Sequence, residues 1–393
     1  MNISFRPLTG AGLLLSTAIA TASPIVLDTE QKAASALETT LFKADVPRSV
    51  VGRVDDVLFF ADLMLRKVNA ATTPAALLSA PGGIVIPCSV SGSFKARMPD
   101  VQPRVLRLRF TDCNTRILGS TEGTFNGRAA ITLPADTFRP ETLSAVRFGD
   151  ASGGELTMHR ILVTPDQTDD TTTAYNIALR GDISMAAFVG TGPETSTFRI
   201  NGYQDQRSDE ITTPPAPSGF YGFKTSFEHL PVVRTSTFVG EVNGEDTQLV
   251  AGSVTFTQTQ PNFPVLVDAY TFNDYRVNRV TDFGPAWHET LSVDGRITAT
   301  INPLFGGGCL NGLYAMKTRV PLSYSLDTTQ TIESGELVVN GAVARFFAAT
   351  NTPPRLPVPV NGMLLNLRVP NVGTFNYDAA TWLEALSPVG HCF

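Results

Sequence analysis

The chain has 393 residues, with 30 Lys and Arg against 36 Asp and Glu, which gives a formal net charge of −6 at pH 7. A mildly acidic chain without a basic cluster is not expected to bind nucleic acid or an anionic membrane surface. The length exceeds that of a usual single domain, so two domains or one extended β-structure are predicted.

Residues 1–22 have the features of a secretory leader. Arg6 is the only charged residue, an apolar run covers residues 11–20, and the segment ends in Ala-Thr-Ala. This pattern predicts a signal peptide that is cleaved between Ala22 and Ser23. The run is too short to span a bilayer, so a membrane anchor is the weaker alternative, and no later segment predicts a transmembrane helix. The expected location is the periplasm, the outer cell surface or the extracellular space.

Residues 23–82 form a predicted N-terminal helical region. Apolar residues recur at helical spacing from Val54 to Ala70, and a weaker helix is predicted from Gln31 to Leu41. Asp55 and Asp56 lie near the predicted start, where a helix dipole favours acidic side chains. The favoured interpretation is a helix that packs its apolar face on a sheet, and a membrane or partner-binding helix is the alternative.

From Gly82 onward the apolar pattern has a period of two, which indicates strands. Arg104–Phe110, Ser253–Thr257 and Arg296–Ile301 alternate apolar and polar residues in this way. Such half-polar strands are typical of antiparallel sheets with one wet face. The predicted fold is therefore mainly β, with antiparallel sheets in a sandwich-like or extended meander arrangement after a short helical region.

Seven Asn-Gly or Asp-Gly dipeptides mark places where the chain can adopt positive φ. Both residue types tolerate the conformation that a tight hairpin turn or a G1 bulge requires. They are Asn126-Gly127, Asn201-Gly202, Asn243-Gly244, Asp294-Gly295, Asn311-Gly312, Asn340-Gly341 and Asn361-Gly362.

Two proline-rich segments divide the β-rich part of the chain. Thr212–Ser218 is the better linker candidate and Thr352–Val360 the second, because prolines lack the amide donors of a central strand. The predicted β regions are residues 83–211 and 219–393. A loose internal repeat is also predicted, in which Cys88 or Cys309 opens a strand and an Asn-Gly hairpin segment follows.

Four cysteines follow the leader: Cys88, Cys113, Cys309 and Cys392. An even number in an exported chain predicts two disulfides, although four cysteines permit three connectivities. We favour Cys88–Cys113 and Cys309–Cys392, because each pair then lies within one half of the molecule. Metal ligation is the weaker alternative, since no C-x-x-C spacing is present.

The C-terminal 120 or so residues resemble a group of exported, repeat-bearing bacterial β-proteins of uncharacterised function. The resemblance is carried by Thr318–Tyr324, by Ser334–Leu337 with Asn340-Gly341-Ala342, and by the closing segment Gly373–Leu386. It implies export and β-structure. It supplies no chemistry, and the Asp/Gly-rich stretch that the group often has before its final Trp is replaced here by residues 376–380.

Each candidate catalytic or metal-binding pattern fails at a required position. His288-Glu289 begins like a zincin motif, but Ser292 stands where the second histidine is needed, so His288 is interpreted as a strand or loop residue. Ser152 lies in a glycine-rich loop with no histidine upstream of it, which favours a simple turn. Asp166–Asp170 lacks the glycine and glutamate of an EF-hand loop. The sequence thus predicts no catalytic residue, cofactor-binding residue or metal ligand.

The favoured functional hypothesis is an exported, non-enzymatic cell-envelope protein with a structural or binding role. Its expected ligand is a carbohydrate or another envelope component, read by exposed aromatic side chains that the sequence does not identify. One alternative is a secreted carbohydrate-active enzyme that uses a pair of carboxylates. Another is an outer-membrane β-barrel, which the 27 prolines and eight tyrosines disfavour.

Overall fold

The computed structural model describes most of the chain after residue 22. The described residues are 23–99, 104–118, 121–133, 143–149, 154–164, 171–189, 194–212, 219–259, 264–284, 287–301, 310–325, 332–348 and 363–377. Within them, no helix combines the length and apolar character that crossing a membrane needs.

Three helices precede the sheet: α1 (Glu30–Lys43), α2 (Val46–Ala71) and α3 (Pro74–Ser79). They confirm the predicted helical region. Because α2 begins earlier than predicted, Asp55 lies in its middle, so the prediction that it occupies the dipole-favoured first turn was wrong. Asp55 forms an ion pair with Arg234 instead, with 3.1 Å between Oδ1 and Nη1.

The remaining described elements are strands, and all of their pairings are antiparallel, which confirms the predicted fold class. In chain order they are β1 (Ile84–Pro87), β2 (Ser91–Arg97), β3 (Arg104–Leu118), β4 (Thr121–Leu133), β5 (Ala145–Phe148), β6 (Leu156–Thr164), β7 (Thr171–Val189), β8 (Glu194–Thr212), β9 (Gly219–Glu228), β10 (Leu230–Val239), β11 (Val242–Leu249), β12 (Ser253–Thr259), β13 (Leu266–Asp282), β14 (His288–Thr300), β15 (Gly312–Ser325), β16 (Ile332–Val339), β17 (Ala342–Ala348), β18 (Met363–Val369) and β19 (Gly373–Tyr377).

The strands form one sheet that follows the chain order as a meander. Three pairs of short strands each take the place of one long strand: β5 with β6, β9 with β10, and β11 with β12. β8 pairs with both β9 and β10, so strands on both sides of residues 213–218 join the same sheet. The division of the chain into two β regions, and the internal repeat, stay predictions.

A line of bends runs across the sheet from β2 to β16. It is formed by residues with positive φ that lie on neighbouring strands or between them: Gly92, Asp112, Gly127, Gly149, Gly181, Gly202, His229, Gly252, Asp274, Gly295 and Gly335. Bulges of this kind bend a strand and increase its twist. Because the bends fall side by side, the sheet bends along this line between β2 and β16.

Two of the bends are alike in backbone geometry. The first bulge consists of Asp112 on β3 with Asn126-Gly127 on β4, and the register shifts there between Phe110 and Cys113. The second bulge consists of Asp274 on β13 with Asp294-Gly295 on β14, where the register shifts between Asn273 and Arg276. The glycines have φ of 109° and 105°.

The predicted glycine dipeptides thus have several roles. Asn340-Gly341 forms the two-residue turn between β16 and β17, with both residues at positive φ as a type I′ turn requires. Asn126-Gly127 and Asp294-Gly295 form bulges inside strands. Asn361-Gly362 lies outside the described residues.

The helices lie against one face of the curved sheet. Phe60 of α2 contacts Phe110, Phe125 and Phe148 on β3, β4 and β5, with ring centroids 6.1, 5.9 and 5.4 Å away. Helix α1 packs against β15, β16 and β18. The predicted packing of a helix on the sheet is therefore confirmed, and helices and strands share one hydrophobic core.

Candidate functional site

One end of the sheet carries a group of exposed apolar side chains, called here the rim cluster: Phe238, Val239, Val242, Phe283 and Trp287. Their exposed fractions run from 36% to 75%. The cluster belongs to two adjacent connections, the β10–β11 turn and the β13–β14 loop. The two connections are joined where Val242 pairs with Asp282 and where the Phe283 amide donates to the Glu241 carbonyl at 2.9 Å.

The β10–β11 turn is short because of its glycine. Val239 pairs directly with Val242, which leaves Gly240 and Glu241 as the two central residues of the turn. Gly240 has φ of 62°, the value that a type II′ hairpin turn needs at its first central position. The tight turn therefore holds Phe238 and Val239 at the tip of the hairpin.

The β13–β14 loop supplies an aromatic pair. The rings of Phe283 and Trp287 lie edge to face, 6.1 Å apart at 84°. Aromatic rings prefer this geometry, because the positive edge of one ring meets the negative face of the other. The two side chains are 45% and 50% exposed, so about half of the pair's surface is open to a ligand.

Two carboxylates converge on Gly284, the residue that follows Phe283 in the β13–β14 loop. Asp282 Oδ1 accepts a hydrogen bond from the Gly284 amide at 2.9 Å. A Cβ atom built on Gly284 would lie 3.0 Å from Asp282 Oδ1 and 3.3 Å from Glu241 Oε2, so both carboxylates approach this one glycine. Within the described part of the chain, neither carboxylate forms an ion pair.

Deeper on the helix-facing side, two arginines form a layer of paired charges. Arg279 binds Asp45, the N-cap of α2, and donates from Nη1 to Glu289 Oε1 at 2.6 Å. Thr281 Oγ1 donates to the same carboxylate at 3.3 Å. The side chains of Arg279 and Glu289 are only 16% and 14% exposed.

The second arginine, Arg234, lies between Asp55 on α2 and Glu245 on β11, with its nearest carboxylate oxygens at 3.1 and 3.6 Å. Burial raises the pKa of Asp55, and the Arg234 guanidinium acts in the opposite direction. Burial also raises the pKa of Tyr324, which lies near Arg279. In this layer each arginine faces two carboxylates, while at the rim the carboxylates lack a cationic partner among the described residues.

His288 is the first residue of β14, so its interpretation as a strand or loop residue is confirmed. Its Nδ1 lies 3.4 Å from the Tyr324 carbonyl and 3.9 Å from the Glu333 carboxylate. Among the described residues, no three His, Cys, Asp or Glu side chains are placed to hold a metal ion.

The disulfide prediction is confirmed in its first half, since Cys88 and Cys113 are bonded with a Cα–Cα distance of 5.5 Å. Cys309 and Cys392 lie outside the described residues, as do Ala22, Ser152 and Asp166–Asp170. Ser23 is described, and its carbonyl accepts from the Leu313 amide at 3.4 Å.

No family model, curated protein or solved structure matches this chain. The assignment of a site therefore rests on the chain itself. Sequence reasoning missed the rim cluster, although a signal for it exists. Phe-Val-Gly-Glu-Val at 238–242 and Phe-Gly-Pro-Ala-Trp at 283–287 place large apolar residues beside turn-forming residues, where polar side chains are the norm.

Proposed function

We propose that this protein is exported to the cell envelope and binds carbohydrate there through the rim cluster, without catalysing a reaction on it. The observation that carries the proposal is the half-exposed Phe283–Trp287 pair, in a loop where two carboxylates also converge on Gly284. Binding sites for small molecules commonly combine apolar and aromatic walls with a few placed polar groups. Sugar rings offer such a site C–H groups for the aromatic faces and hydroxyl donors for the carboxylates.

Export is supported by the leader-like residues 1–22 and by the Cys88–Cys113 disulfide. Disulfides persist in oxidising compartments and are rare in the cytosol. Mass spectrometry of the protein recovered from its native host is expected to give Ser23 as the N-terminal residue. Recovery of a product that begins at Met1 would contradict export.

A non-catalytic role is supported by the ion pairs that the deeper carboxylates form with arginine. Asp45 and Glu289 share Arg279, and Asp55 and Glu245 share Arg234. A general acid or nucleophile in a glycosidase must reach the scissile bond, and carboxylates held by a guanidinium are poorly placed for that task. The carboxylate-pair enzyme remains the alternative, because Arg279 brings Asp45 and Glu289 close together.

A glycan-binding measurement on the mature protein tests the proposal. Titration calorimetry with oligosaccharides of envelope polysaccharides is expected to find a ligand whose affinity falls about tenfold in Trp287→Ala, since a stacking contact and the apolar area that it buries contribute roughly 1.5 kcal/mol. Phe223→Ala is the matched control. Phe223 is also exposed, but it lies on β9 near the opposite end of the sheet.

Two results would count against this function. If no oligosaccharide binds, or if Trp287→Ala and Phe223→Ala affect binding equally, the rim cluster is not the site. If reducing ends accumulate during the titration and Glu289→Gln abolishes their release, the enzyme alternative replaces the binding role.

A further inference from the structure

One face of β2, β3 and β4 carries a group of exposed basic side chains, called here the basic face. These side chains alternate along their strands with buried residues, among them Phe94, Phe110 and Ala129. Because successive side chains of a strand point to opposite faces, the basic residues lie on the side away from the helices. They are Lys95, Arg97, Arg107, Arg109 and Arg128.

Strand register brings these residues together. Lys95 on β2 pairs with Arg109 on β3, and Arg109 pairs in turn with Arg128 on β4. Arg97 pairs with Arg107 at the next outward positions of β2 and β3. Directly opposed Cβ atoms of an antiparallel sheet lie about 4.5–5.5 Å apart. The basic face is therefore compact, although the sequence shows no run of basic residues in this part of the chain.

This arrangement does not favour the stability of the fold. Like charges that lie directly opposite each other on neighbouring strands are destabilising. Elsewhere in the sheet, exposed arginines pair with carboxylates instead, as Arg276 does with Asp246 and Arg345 with Glu336. Features that break such a rule are expected mainly at functional sites. Opposed cations in a chain of net charge −6 thus indicate a surface for an external anion.

The chain places little negative charge on this face. Residues 91–97, 104–111 and 127–133, which form it, contain no Asp or Glu. The residue that follows them on β3 is Asp112, whose carboxylate accepts a hydrogen bond from Asn126 Nδ2 in the first bulge. A bound anion would therefore meet an excess of positive charge.

Three of the basic side chains are open to a ligand. Lys95, Arg97 and Arg109 are exposed, and none of them forms an ion pair within the described part of the chain. Guanidinium groups bind carboxylates through two parallel hydrogen bonds, and an ammonium group adds a mobile charge. The chemistry of this face therefore suits a ligand with several carboxylates.

The neighbouring side chains favour a glycan over other polyanions. The three aromatic residues of these strands, Phe94, Phe110 and Phe125, are buried, so none offers a platform on which nucleotide bases could stack. Among the described residues of β2, β3 and β4, no large apolar side chain is exposed. Insertion of apolar side chains is what strengthens binding to a lipid surface.

We infer that the basic face binds a linear anionic polysaccharide, whose carboxylates contact Lys95, Arg97 and Arg109. Such a polymer carries acid groups at regular intervals, and the basic residues repeat on successive strands at about 5 Å. The inference goes beyond the proposed function, because this surface is separate from the rim cluster and uses none of its residues.

Two hexasaccharides with the same α-1,4 backbone test the inference: hexagalacturonate and its fully methyl-esterified form, which lacks the negative charges. In titration calorimetry at low salt, we expect hexagalacturonate to bind at least about tenfold more tightly, because the ester cannot form charge-assisted hydrogen bonds. Raising the salt concentration should reduce this preference.

Paired variants assign the binding to this face. Lys95→Gln/Arg109→Gln should weaken hexagalacturonate binding by about tenfold or more. It also removes a like-charge pair, so the midpoint of urea unfolding should not fall. Arg296→Gln/Lys317→Gln is the matched control, since it removes the same two residue types from exposed positions of β14 and β15. This control should leave the affinity unchanged.

Several results would overturn the inference. Equal binding of the two hexasaccharides, or binding of neither, would do so. An equal loss of affinity in the control variant would show that binding follows the overall charge and not this face. An oligothymidylate and vesicles of phosphatidylglycerol with phosphatidylcholine are the remaining probes. If either binds as tightly as hexagalacturonate and loses that binding in Lys95→Gln/Arg109→Gln, the face attracts polyanions in general, and the assignment to a polysaccharide fails.

Discussion

The first and second bulges bend the sheet in the same way, but different groups hold them. In the first, the Asp112 amide donates to Asn126 Oδ1 at 2.7 Å, and Asn126 Nδ2 donates to Asp112 Oδ1 at 3.1 Å. Both hydrogen bonds join β3 to β4, so the first bulge is stabilised by its own two strands. The next residue on β3, Cys113, is bonded to Cys88.

The second bulge has an aspartate where the first has an asparagine. Asp294 has no amide donor, so it does not form the reciprocal bond with Asp274. Both carboxylates bind neighbouring strands instead: Asp294 accepts from the Thr318 amide on β15 at 3.2 Å, and Asp274 accepts from Gln248 on β11. Equivalent backbone geometry is thus stabilised locally in one region and by adjacent strands in the other.

The helix-facing side of the two regions differs as well. Behind the first bulge, Phe60 fills the space between three phenylalanine rings. In the second region the helix residue is Lys43, whose Nζ lies 4.7 Å from the centroid of the Tyr270 ring. Burial lowers the pKa of Lys43 to about 8, although Asp268 acts in the opposite direction. One region is stabilised by apolar packing, and the other contains a costly buried amine.

The largest effect is expected from adding a methyl group at either bulge. In Gly295→Ala the new Cβ would collide with the Asp274 carbonyl, and in Gly127→Ala with the Glu155 carbonyl, at a φ that alanine disfavours. Each substitution should lower the free energy of unfolding by about 3 kcal/mol or more in urea titrations.

Gly52→Ala is the control for these substitutions. Gly52 lies inside α2 with no atom within 4 Å of the added Cβ, so alanine should stabilise by about 0.5–1 kcal/mol. If the free energy of unfolding falls by less than about 1 kcal/mol in both bulge variants, the strands rearrange easily at the bulges.

Removal of the disulfide should have the next largest effect on stability, and the local opening that it allows should be confined to the strands at the first bulge. Cys88→Ser/Cys113→Ser opens a link between residues 25 apart, which should cost about 3 kcal/mol through greater freedom of the unfolded chain. Hydrogen exchange should show a new partial opening of β2 and β3 at a free energy below that of global unfolding, while β13 and β14 still open only through global unfolding. Partial opening of β13 and β14 in the variant would contradict local stabilisation.

The buried amine should make stability depend on pH. Because the folded-state pKa of Lys43, about 8, lies below the ordinary 10.5, the unfolded chain binds more protons between these values. Stability should therefore rise by about 1–2 kcal/mol from pH 7 to pH 9.5. Burial raises the pKa of Tyr270, so that side chain stays neutral across this window. In Lys43→Met, stability should depend much less on pH over this range. If stability rises equally steeply in that variant, other titrating groups cause the rise.

The smallest effects should come from exchanging the polar residues of the two bulges. Asn126→Asp removes the amide donor to Asp112 and adds a like charge, which should cost about 1 kcal/mol. Asp294→Asn keeps an oxygen acceptor for the Thr318 amide, so its effect should stay within about 0.5 kcal/mol. Equal effects in urea titrations would mean that the two bulges are held alike.

Much of the strand content could be predicted from the sequence. Leu106, Leu108 and Phe110 alternate with arginines, and all three are buried as that pattern predicts. Most of the described Asn-Gly and Asp-Gly dipeptides contain a glycine with positive φ, but Asn243-Gly244 lies inside β11 without it, and the dipeptides did not show which become turns and which become bulges. That choice depends on whether a neighbouring strand pairs with both sides of the dipeptide, which is a long-range property.

The candidate site was harder to predict for the same reason. Trp287 and Phe238 are 49 positions apart in the sequence, and neither lies in a recognisable motif. Their connections lie at the same end of the sheet only because β11 pairs with β13 and aligns the β10–β11 turn with the β13–β14 loop. Likewise, the pairing of Asp45 with Arg279 needs α2 to lie against the sheet.

By itself, the sequence determined the local features: alternating strands, glycine reversals, the amphipathic helix and the spacing of Cys88 and Cys113. Each of these depends on backbone preferences or on burial of one face, and both act over a few residues. Only the tertiary structure decided how the bends line up and which of the described carboxylates form ion pairs with arginine. Those outcomes depend on strand register, because a shift of one residue would move every side chain to the other face of the sheet.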